Sequence, residues 1–271
     1  MSEKTDRLSR LLASGDNAVI IAADHGEFDG PIPGMVRIDE TLSRIDGGVD
    51  GVLLSPGMVA RGRGLFEPDG GPMAVMRLNW STVYCFGWGY REGATAPVVG
   101  AAEALRLGAD VALVSLTLHT GSEERDARNV EVFSQLRSEC HLLGLPVIGE
   151  YFPCGHNELS AEALHDEVRV GCRILAELGA DCIKTFHTRR FPEVVEGCPV
   201  PIFGLGAERT PTQLDALKLA RREIDDGARG VVFGRNAIQV PDPPAFQRAL
   251  IDVVKHGTSP EEALAKHALK D

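Results

Sequence analysis

The chain is 271 residues long, close to the roughly 250 residues that a single α/β barrel domain uses. Its 44% hydrophobic and 25% charged residues are ordinary for a soluble globular protein and give no sign of disorder. A formal net charge of -11 argues against a general nucleic-acid-binding protein, which would need clustered Lys and Arg.

The first residues are polar and lead into a short helical pattern, without the apolar centre of a signal peptide. No apolar run reaches the about 18 residues that a membrane helix needs, so we expect a cytoplasmic protein. The six cysteines show neither a CxxC pair nor the paired spacing of a zinc site. We therefore expect reduced, mostly buried thiols.

Short apolar runs alternate with longer amphipathic stretches, which is typical of repeated βα units and a parallel sheet. Eight runs rich in Val, Ile, Leu or Ala are candidate strands: Ala18 to Ala23, Gly51 to Ser55, Met73 to Leu78, Val111 to Leu116, Val147 to Tyr151, Cys182 to Thr185, Pro201 to Gly204 and Gly230 to Gly234. Because eight parallel strands close a barrel, the sequence predicts a single (β/α)8 TIM barrel domain over residues 1–271.

Helical patterns lie between these strands, at Ala161 to Leu178 and Thr212 to Asp226 among others. Glycines at positions 108, 179 and 227 are predicted to end helices in the left-handed conformation. A doubly wound open sheet is the alternative fold. It would usually carry a glycine-rich dinucleotide loop after its first strand, and Asp24-His25-Gly26-Glu27 is not such a loop.

Asp24 follows the first predicted strand and precedes His25 and Gly26. The carboxyl ends of the strands carry the chemistry in parallel α/β barrels. A carboxylate at this position could be a general base or could bind a substrate hydroxyl. The alternative is a loop cap, in which Asp24 accepts hydrogen bonds from nearby backbone amides.

Lys184 lies in the sixth predicted strand, where its amine is predicted to point into the barrel mouth. A lysine partly removed from water loses some preference for its charged form, which makes this one a candidate nucleophile. The alternative is an ion pair with a nearby carboxylate, because structural ion pairs also perturb such groups.

Glycine-containing loops follow the seventh and eighth predicted strands, at residues 204–209 and 234–236. In this fold these loops usually form a phosphate site, where backbone N–H groups and a helix N-terminus approach the anion. We expect a phosphorylated small molecule to bind at Gly206, Ala207, Arg209, Gly234 and Arg235. The arginines would make charge-assisted contacts with the phosphoryl oxygens, and surface salt bridges are their alternative role.

Four motifs occur together in the chain: Asp24-His25-Gly26, the run Gly179-Ala-Asp-Cys-Ile-Lys184-Thr185, the run Pro201-Ile-Phe-Gly-Leu-Gly206, and the run Gly234-Arg-Asn-Ala-Ile-Gln239. Over most of its length the chain resembles the DeoC/FbaB class I aldolase family. That family includes archaeal-type fructose-bisphosphate aldolases, aminodideoxyheptulosonate synthases and an autoinducer-2 aldolase/thiolase branch.

The resemblance implies a class I aldolase that cleaves or forms a carbon–carbon bond in a phosphorylated ketose, through a fragment like dihydroxyacetone phosphate. Lys184 would form the Schiff base, and Asp24 would handle a substrate hydroxyl or proton. A transaldolase or thiolase-like transferase on the same lysine is the alternative. The family further implies a homo-oligomer, and we expect no cofactor, no metal, no nucleic acid and no membrane partner.

Two positions depart from the family pattern. Phe152 stands where many relatives carry a proton-transfer tyrosine, so Glu150 and His187 are the candidate catalytic replacements. Tyr151 cannot simply substitute, because neighbouring residues of a regular strand face opposite sides. Ala207 closes the run 205–207, where the family usually has a small residue and two glycines, which is consistent with an altered substrate.

Asn79 to Tyr90 contains both tryptophans and two of the three tyrosines, in a predicted long loop after the third strand. With Glu27 and Asp29, this loop could set specificity as a lid, or it could form a subunit contact. The alternative is an aromatic satellite core.

Two further function classes remain open. A metal-dependent aldolase or hydrolase would use some of His25, His119, His156 and His187, but the sequence has no HxH or HExxH pattern. A non-catalytic phosphosugar-binding protein would keep the glycine loops and lack the chemistry.

Overall fold

Eight parallel strands close into a barrel. The computed structural model describes residues 3–12, 17–67 and 70–270. Within these residues the strands are β1 Ala18–Ala22, β2 Gly51–Leu54, β3 Met73–Arg77, β4 Asn79–Ser81, β5 Thr95–Pro97, β6 Val111–Leu116, β7 Val147–Tyr151, β8 Cys182–Phe186, β9 Ile202–Leu205 and β10 Gly230–Phe233. The order of the strands around the barrel is β1-β10-β9-β8-β7-β6-β3-β2. The predicted barrel and its eight strands are confirmed, and the open-sheet alternative is wrong.

Helices follow the strands around the outside of the barrel. In the described ranges they are α1 Glu3–Leu11, α2 Gly26–Asp29, α3 Ile38–Ser43, α4 Pro56–Arg61, α5 Arg63–Phe66, α6 Ala101–Leu107, α7 Glu123–Leu142, α8 Ala161–Glu177, α9 Phe191–Glu196, α10 Gln213–Asp225, α11 Arg235–Ile238, α12 Pro243–Lys255 and α13 Pro260–Lys266. The predicted left-handed glycines are confirmed, with φ of 101° at Gly108, 94° at Gly179 and 102° at Gly227.

Side chains on the strands alternate between the barrel interior and the layer beneath the helices. On β1, Ala18, Ile20 and Ala22 belong to the interior cluster, while Val19 and Ile21 pack in the outer cluster. The alternation therefore decides which side chains at the strand ends face the barrel mouth.

At the carboxyl ends of four barrel strands, the next residue that faces the barrel interior is charged. Ala22 precedes Asp24, Val75 precedes Arg77, Ile148 precedes Glu150, and Cys182 precedes Lys184, each by two residues. All four charged residues are buried. The apolar interior thus ends in what we call the charged layer: Asp24, Arg77, Glu150 and Lys184.

The segment after β3 is not the long loop that the sequence predicts. Asn79–Ser81 forms β4, which pairs with β5 in an antiparallel hairpin, and short 3-10 helices follow at Thr82–Tyr84 and Phe86–Trp88. Asn79 anchors the hairpin, because its side chain donates to the carbonyl of Ser115 and accepts from the Ser115 amide, both at 2.8 Å. The hairpin brings this aromatic segment to the barrel mouth.

All six cysteines lie in the described residues as free thiols, and all are buried except Cys154, which is half-buried. Among the helices of the described residues, none combines the length and the apolar character that crossing a membrane requires.

Candidate active site

A cavity of about 400 Å³ opens at the carboxyl ends of the strands, within the usual size range for small-molecule sites. It is lined by residues of the charged layer, the glycine-containing loops and the aromatic segment: Ala22, Asp24, His25, Phe28, Asp29, Arg77, Tyr84, Phe86, Glu150, Phe152, His156, Asn157, Leu164, Lys184, Phe186, Leu205, Gly206, Ala207, Glu208, Val232, Gly234 and Arg235. Most of the residues predicted from the sequence therefore meet in one place.

Lys184 reaches the cavity from β8 with only 7% of its surface exposed. Its Nζ lies 2.5 Å from Oε1 of Glu150, which is the directly paired residue on β7. The amine therefore faces the cavity, as predicted, and it is also held in the ion pair of the alternative interpretation. Both partners of this pair line the cavity.

Arg77 links the two carboxylates of the charged layer. Its Nε donates to Oδ2 of Asp24 and its Nη2 donates to Oε2 of Glu150, each at 2.7 Å. Burial alone would raise the pKa of both carboxyl groups, but Arg77 and Lys184 outweigh burial and lower both pKa values. Arg77 was not among the residues predicted from the sequence. It ends an apolar strand two residues after Val75, so it faces the barrel interior as Met73 and Val75 do.

Tyr84 is a second cavity residue without a predicted individual role. Its ring packs 4.8 Å from the Arg77 guanidinium carbon and 4.6 Å from the Phe152 ring. The hydroxyl is buried next to the side chains of Glu150 and Ser115. Burial, and next the Glu150 carboxylate, raise the pKa of Tyr84 well above its ordinary value. The phenol therefore stays protonated near pH 7.

His25 and Glu27 follow Asp24 closely in the chain, and their pKa values are shifted in opposite directions. Burial lowers the pKa of His25 to about 4, so that this cavity-lining imidazole is neutral near pH 7. Burial raises the pKa of Glu27 to about 7, and Arg77 offsets only part of that effect. Glu27 lies beside the cavity rather than in its lining, whereas Asp29 lines it.

The glycine loops, by which we mean residues 205–209 and 234–236, form one end of the cavity. The side-chain amide of Asn236 donates to the carbonyls of Gly206 at 2.7 Å and Glu208 at 2.9 Å, so it holds the two loops together. Nη2 of Arg235 donates to the Ala207 carbonyl at 3.0 Å, and its buried Nε has no partner within the described ranges.

Ala207 adopts a left-handed conformation with φ of 48°, which is uncommon for a residue with a side chain. Gly206, Ala207, Gly234 and Arg235 all line the cavity, but the fifth predicted residue of this group, Arg209, is exposed and does not.

Another part of the cavity lining is what we call the aromatic wall: Phe86, Phe152, His156 and Phe186. Phe152 packs 4.9 Å from Phe186 and 4.7 Å from His156, between ring centroids. Burial lowers the pKa of His156, which favours its neutral form. As predicted, Phe152 shares the cavity side with Glu150, and Tyr151 faces away, donating to Glu167 at 3.0 Å.

His187 lies outside the cavity lining, so a proton-transfer role there has no geometric support. Its Nε2 lies 2.7 Å from Oδ2 of Asp226, and its ring packs 5.1 Å from Phe191 on the outside of the barrel. The strand period explains the result, because residue 187 has the parity opposite to that of Lys184.

The histidines proposed for a metal site are also dispersed. His25 and His156 line the cavity, while His119 pairs with Glu167 elsewhere. In the described part of the chain, no group of three or more His, Cys, Asp or Glu side chains could hold a metal ion.

Residues 18–240 match the DeoC/LacD family of aldolases. The chain belongs to this family. It is 29% identical to an uncharacterized aldolase of Saccharolobus solfataricus, over 95% of this chain and 96% of the relative. It is also 29% identical to a 3-hydroxy-5-phosphonooxypentane-2,4-dione thiolase of Escherichia coli, over 95% of this chain and 84% of that protein.

A solved structure of an archaeal fructose-1,6-bisphosphate aldolase, with its catalytic lysine covalently bound to the carbinolamine intermediate, is similar in fold. Its TM-score is 0.78 at 27% identity, covering 93% of this chain and 99% of that one. Membership of the family makes this chain an enzyme that acts on carbon–carbon bonds.

Proposed function

We propose that the chain is a class I aldolase, in which Lys184 forms an iminium with the ketone of a phosphorylated ketose. The observation that carries the proposal is the cavity-lining Lys184 amine, 2.5 Å from Glu150 and facing the same cavity as the glycine loops. A phosphate held by Gly206, Gly234 and Arg235 would fix the carbonyl near the amine and reduce the entropic cost of attack. The family membership supports this chemistry.

The ion pair of Lys184 supplies the proton acceptor that the attack needs. An ammonium has no lone pair, so Nζ must lose a proton, and Oε1 of Glu150 is in direct contact with it. Transfer of that proton neutralises both Lys184 and Glu150, while Asp24 and Arg77 remain paired. This transfer leaves no buried charge uncompensated, which is why the charged layer can release a neutral amine.

The remaining steps move protons on either side of the bond that breaks. Nζ adds to the ketone carbon, Glu150 returns its proton to the carbinolamine oxygen so that water leaves, and the iminium withdraws the electron pair of the C3–C4 bond. Asp24 takes the proton of the C4 hydroxyl, so the C4 fragment departs as an aldehyde and an enamine stays on Lys184. Protonation of the enamine carbon follows, and we assign Tyr84 as the donor because its phenol is protonated, buried and adjacent to Glu150.

A transferase on the same lysine is the second candidate. It is favoured by the 29% identity to the E. coli thiolase over 95% of this chain. In that reaction a thiol would attack the carbonyl of the departing acyl fragment, so that this fragment leaves as a thioester while the electron pair of the broken bond passes to the iminium, and the resulting enamine on Lys184 is then protonated. Product analysis with and without an added thiol separates the two reactions.

Borohydride trapping tests the proposal. Incubation with dihydroxyacetone phosphate and borohydride is expected to leave a stable adduct on Lys184, seen by peptide mass spectrometry, because only an iminium is reduced to an amine that persists. Lys184→Arg keeps the cation beside Glu150 and removes the nucleophile, so it should give no adduct. Lys218→Arg, on the exposed face of α10 beside Glu261, is the matched control and should be trapped normally. Failure of the unaltered chain to form the adduct would leave a non-catalytic binding protein.

A further inference from the structure

The two sides of the cavity differ in polarity. The glycine loops follow β9 and β10, the aromatic wall lies over β7 and β8, and Lys184 stands on β8 between them. A ketose that runs from a phosphate at the glycine loops across Lys184 extends its other end toward β7 and the aromatic wall, because β8 lies between β9 and β7. That other end is the part that leaves, or arrives, as the aldehyde.

Beyond the phosphate at the glycine loops, the cavity lining has few unpaired cations that could bind a second phosphate. Among the described residues, its charged side chains are Asp24, Asp29, Glu150, Glu208, Arg77, Lys184 and Arg235. Two of the three cations, Arg77 and Lys184, are already paired inside the charged layer. Arg235 is the cation that remains, and it belongs to the glycine loops. A second phosphate would thus meet a lining in which carboxyl groups outnumber cations.

The aromatic wall lies directly above the reacting amine. Phe152 and Phe186 follow Glu150 and Lys184 by two residues each, so they occupy the same side of β7 and β8, one layer nearer to the solvent. Phe86 extends the wall, with its ring 5.7 Å from the His156 ring. The three phenylalanine rings of the wall offer no hydrogen bonds to replace the hydration of a phosphate, whereas an apolar group gains about 25 cal/mol for each Å² that it buries.

We infer that the aldehyde partner in the proposed reaction is uncharged and apolar, rather than an aldehyde phosphate. This inference rests on the proposed function, because it takes the phosphorylated three-carbon fragment to be bound to Lys184. It gives the chain a substrate class different from that of the fructose-1,6-bisphosphate aldolase whose fold it resembles.

An aldehyde panel tests the inference. After trapping on Lys184 has been measured, consumption of dihydroxyacetone phosphate is followed with glyceraldehyde 3-phosphate, glyceraldehyde, 3-methylbutanal and phenylacetaldehyde. We expect kcat/KM to be higher for the two apolar aldehydes than for glyceraldehyde 3-phosphate by about tenfold or more. A normal adduct combined with preference for glyceraldehyde 3-phosphate overturns the inference and leaves the proposed function intact. Absence of the adduct overturns both.

A charge placed in the aromatic wall provides the complementary test. Phe86 lies at the edge of the wall with 44% of its surface exposed, so Phe86→Arg does not disturb the core. It should raise kcat/KM for glyceraldehyde 3-phosphate relative to phenylacetaldehyde by about tenfold. The control Phe86→Leu keeps the wall apolar and should retain the original order of substrates. If Phe86→Arg folds with an unaltered substrate order, the aldehyde does not lie against this wall and the inference fails.

Discussion

Glu150 and Glu223 are both removed from solvent, with 1% and 0% of their surfaces exposed, yet they are held in opposite protonation states. Glu150 accepts from Arg77 and contacts Lys184 in the charged layer, and these cations lower its pKa. Glu223 points from α10 against the outside of β9, and its carboxyl oxygens have no hydrogen-bond partner among the described residues. Burial raises the pKa of Glu223 well above its ordinary value, and the nearby Arg222 does not offset it.

Burial by itself makes a carboxyl group neutral, as Glu223 shows. What keeps Glu150 ionised is the arrangement of cations around it. Reactivity in the charged layer therefore belongs to the set of four side chains rather than to Lys184 alone. Substitutions that remove one member while keeping the shape of the site can show whether this holds.

Glu150→Gln should have the largest effect. Glutamine keeps an oxygen for Arg77 and Lys184 but cannot take the proton from Nζ, so the rate of borohydride-trapped adduct formation should fall by about a thousandfold. The measurement is the time course of the adduct mass with dihydroxyacetone phosphate.

Glu223→Gln is the matched control, because it makes the same chemical change at a buried glutamate outside the cavity. Its trapping rate should equal that of the unaltered chain. A normal rate in Glu150→Gln, with a normal circular dichroism spectrum, would show that the proton of Lys184 leaves by another route.

Much of this site follows from the sequence, because the strand period fixes which side chains face inward. Asp24, Glu150 and Lys184 sit at the ends of recognisable apolar strands, and closure of the barrel brings them together. The same parity rule would have included Arg77 and excluded His187. The omission of Arg77 and the choice of His187 were therefore errors of interpretation, because the strand period already indicates which way each side chain faces.

Tyr84 and Arg209 could not be placed in the same way. Tyr84 reaches the cavity because the β4–β5 hairpin folds over the barrel mouth, and that depends on the pairing of Asn79 with Pro97 and the contact of Asn79 with Ser115. These are contacts between segments distant in the chain and carry no local pattern. Arg209 turns outward because Asn236 fixes the loop before it, a detail of side-chain hydrogen bonding.

Arg77→Met tests whether the charged layer also holds the barrel together. The substitution keeps an apolar chain of similar length but leaves Asp24 and Glu150 buried with a single neighbouring cation. Breaking a buried pair in this way costs about 3 kcal/mol or more of unfolding free energy. The exposed pair of Arg248 with Asp46 provides the control, since Arg248→Met should cost about 1 kcal/mol or less. Equal urea midpoints for the two variants would contradict the expectation.

Tyr84→Phe separates proton donation from packing. The phenylalanine ring can keep the contacts with Phe28 and Phe152, at 4.7 and 4.6 Å between centroids, so the thermal midpoint should change little. Loss of the phenol should lower kcat by about a hundredfold while adduct formation on Lys184 proceeds, because the enamine lacks its acid. Adduct formation and turnover falling together would instead assign Tyr84 to the positioning of Glu150.

The smallest effect concerns the dependence of stability on pH, where the two glutamates have opposite signs. The pKa of Glu150 is lowered from 4.5, so its contribution is present above that pH and is lost as pH falls. The pKa of Glu223 is raised above 4.5, so the folded chain keeps a proton that the unfolded chain releases, and stability falls as pH rises. Glu223→Gln removes that loss. We expect the variant to match the unaltered chain near pH 5 and to exceed it increasingly toward pH 8, by about 1.4 kcal/mol for each pH unit in which only the unfolded chain has lost the proton. Parallel unfolding midpoints across this range would mean that Glu223 is ionised in the folded chain.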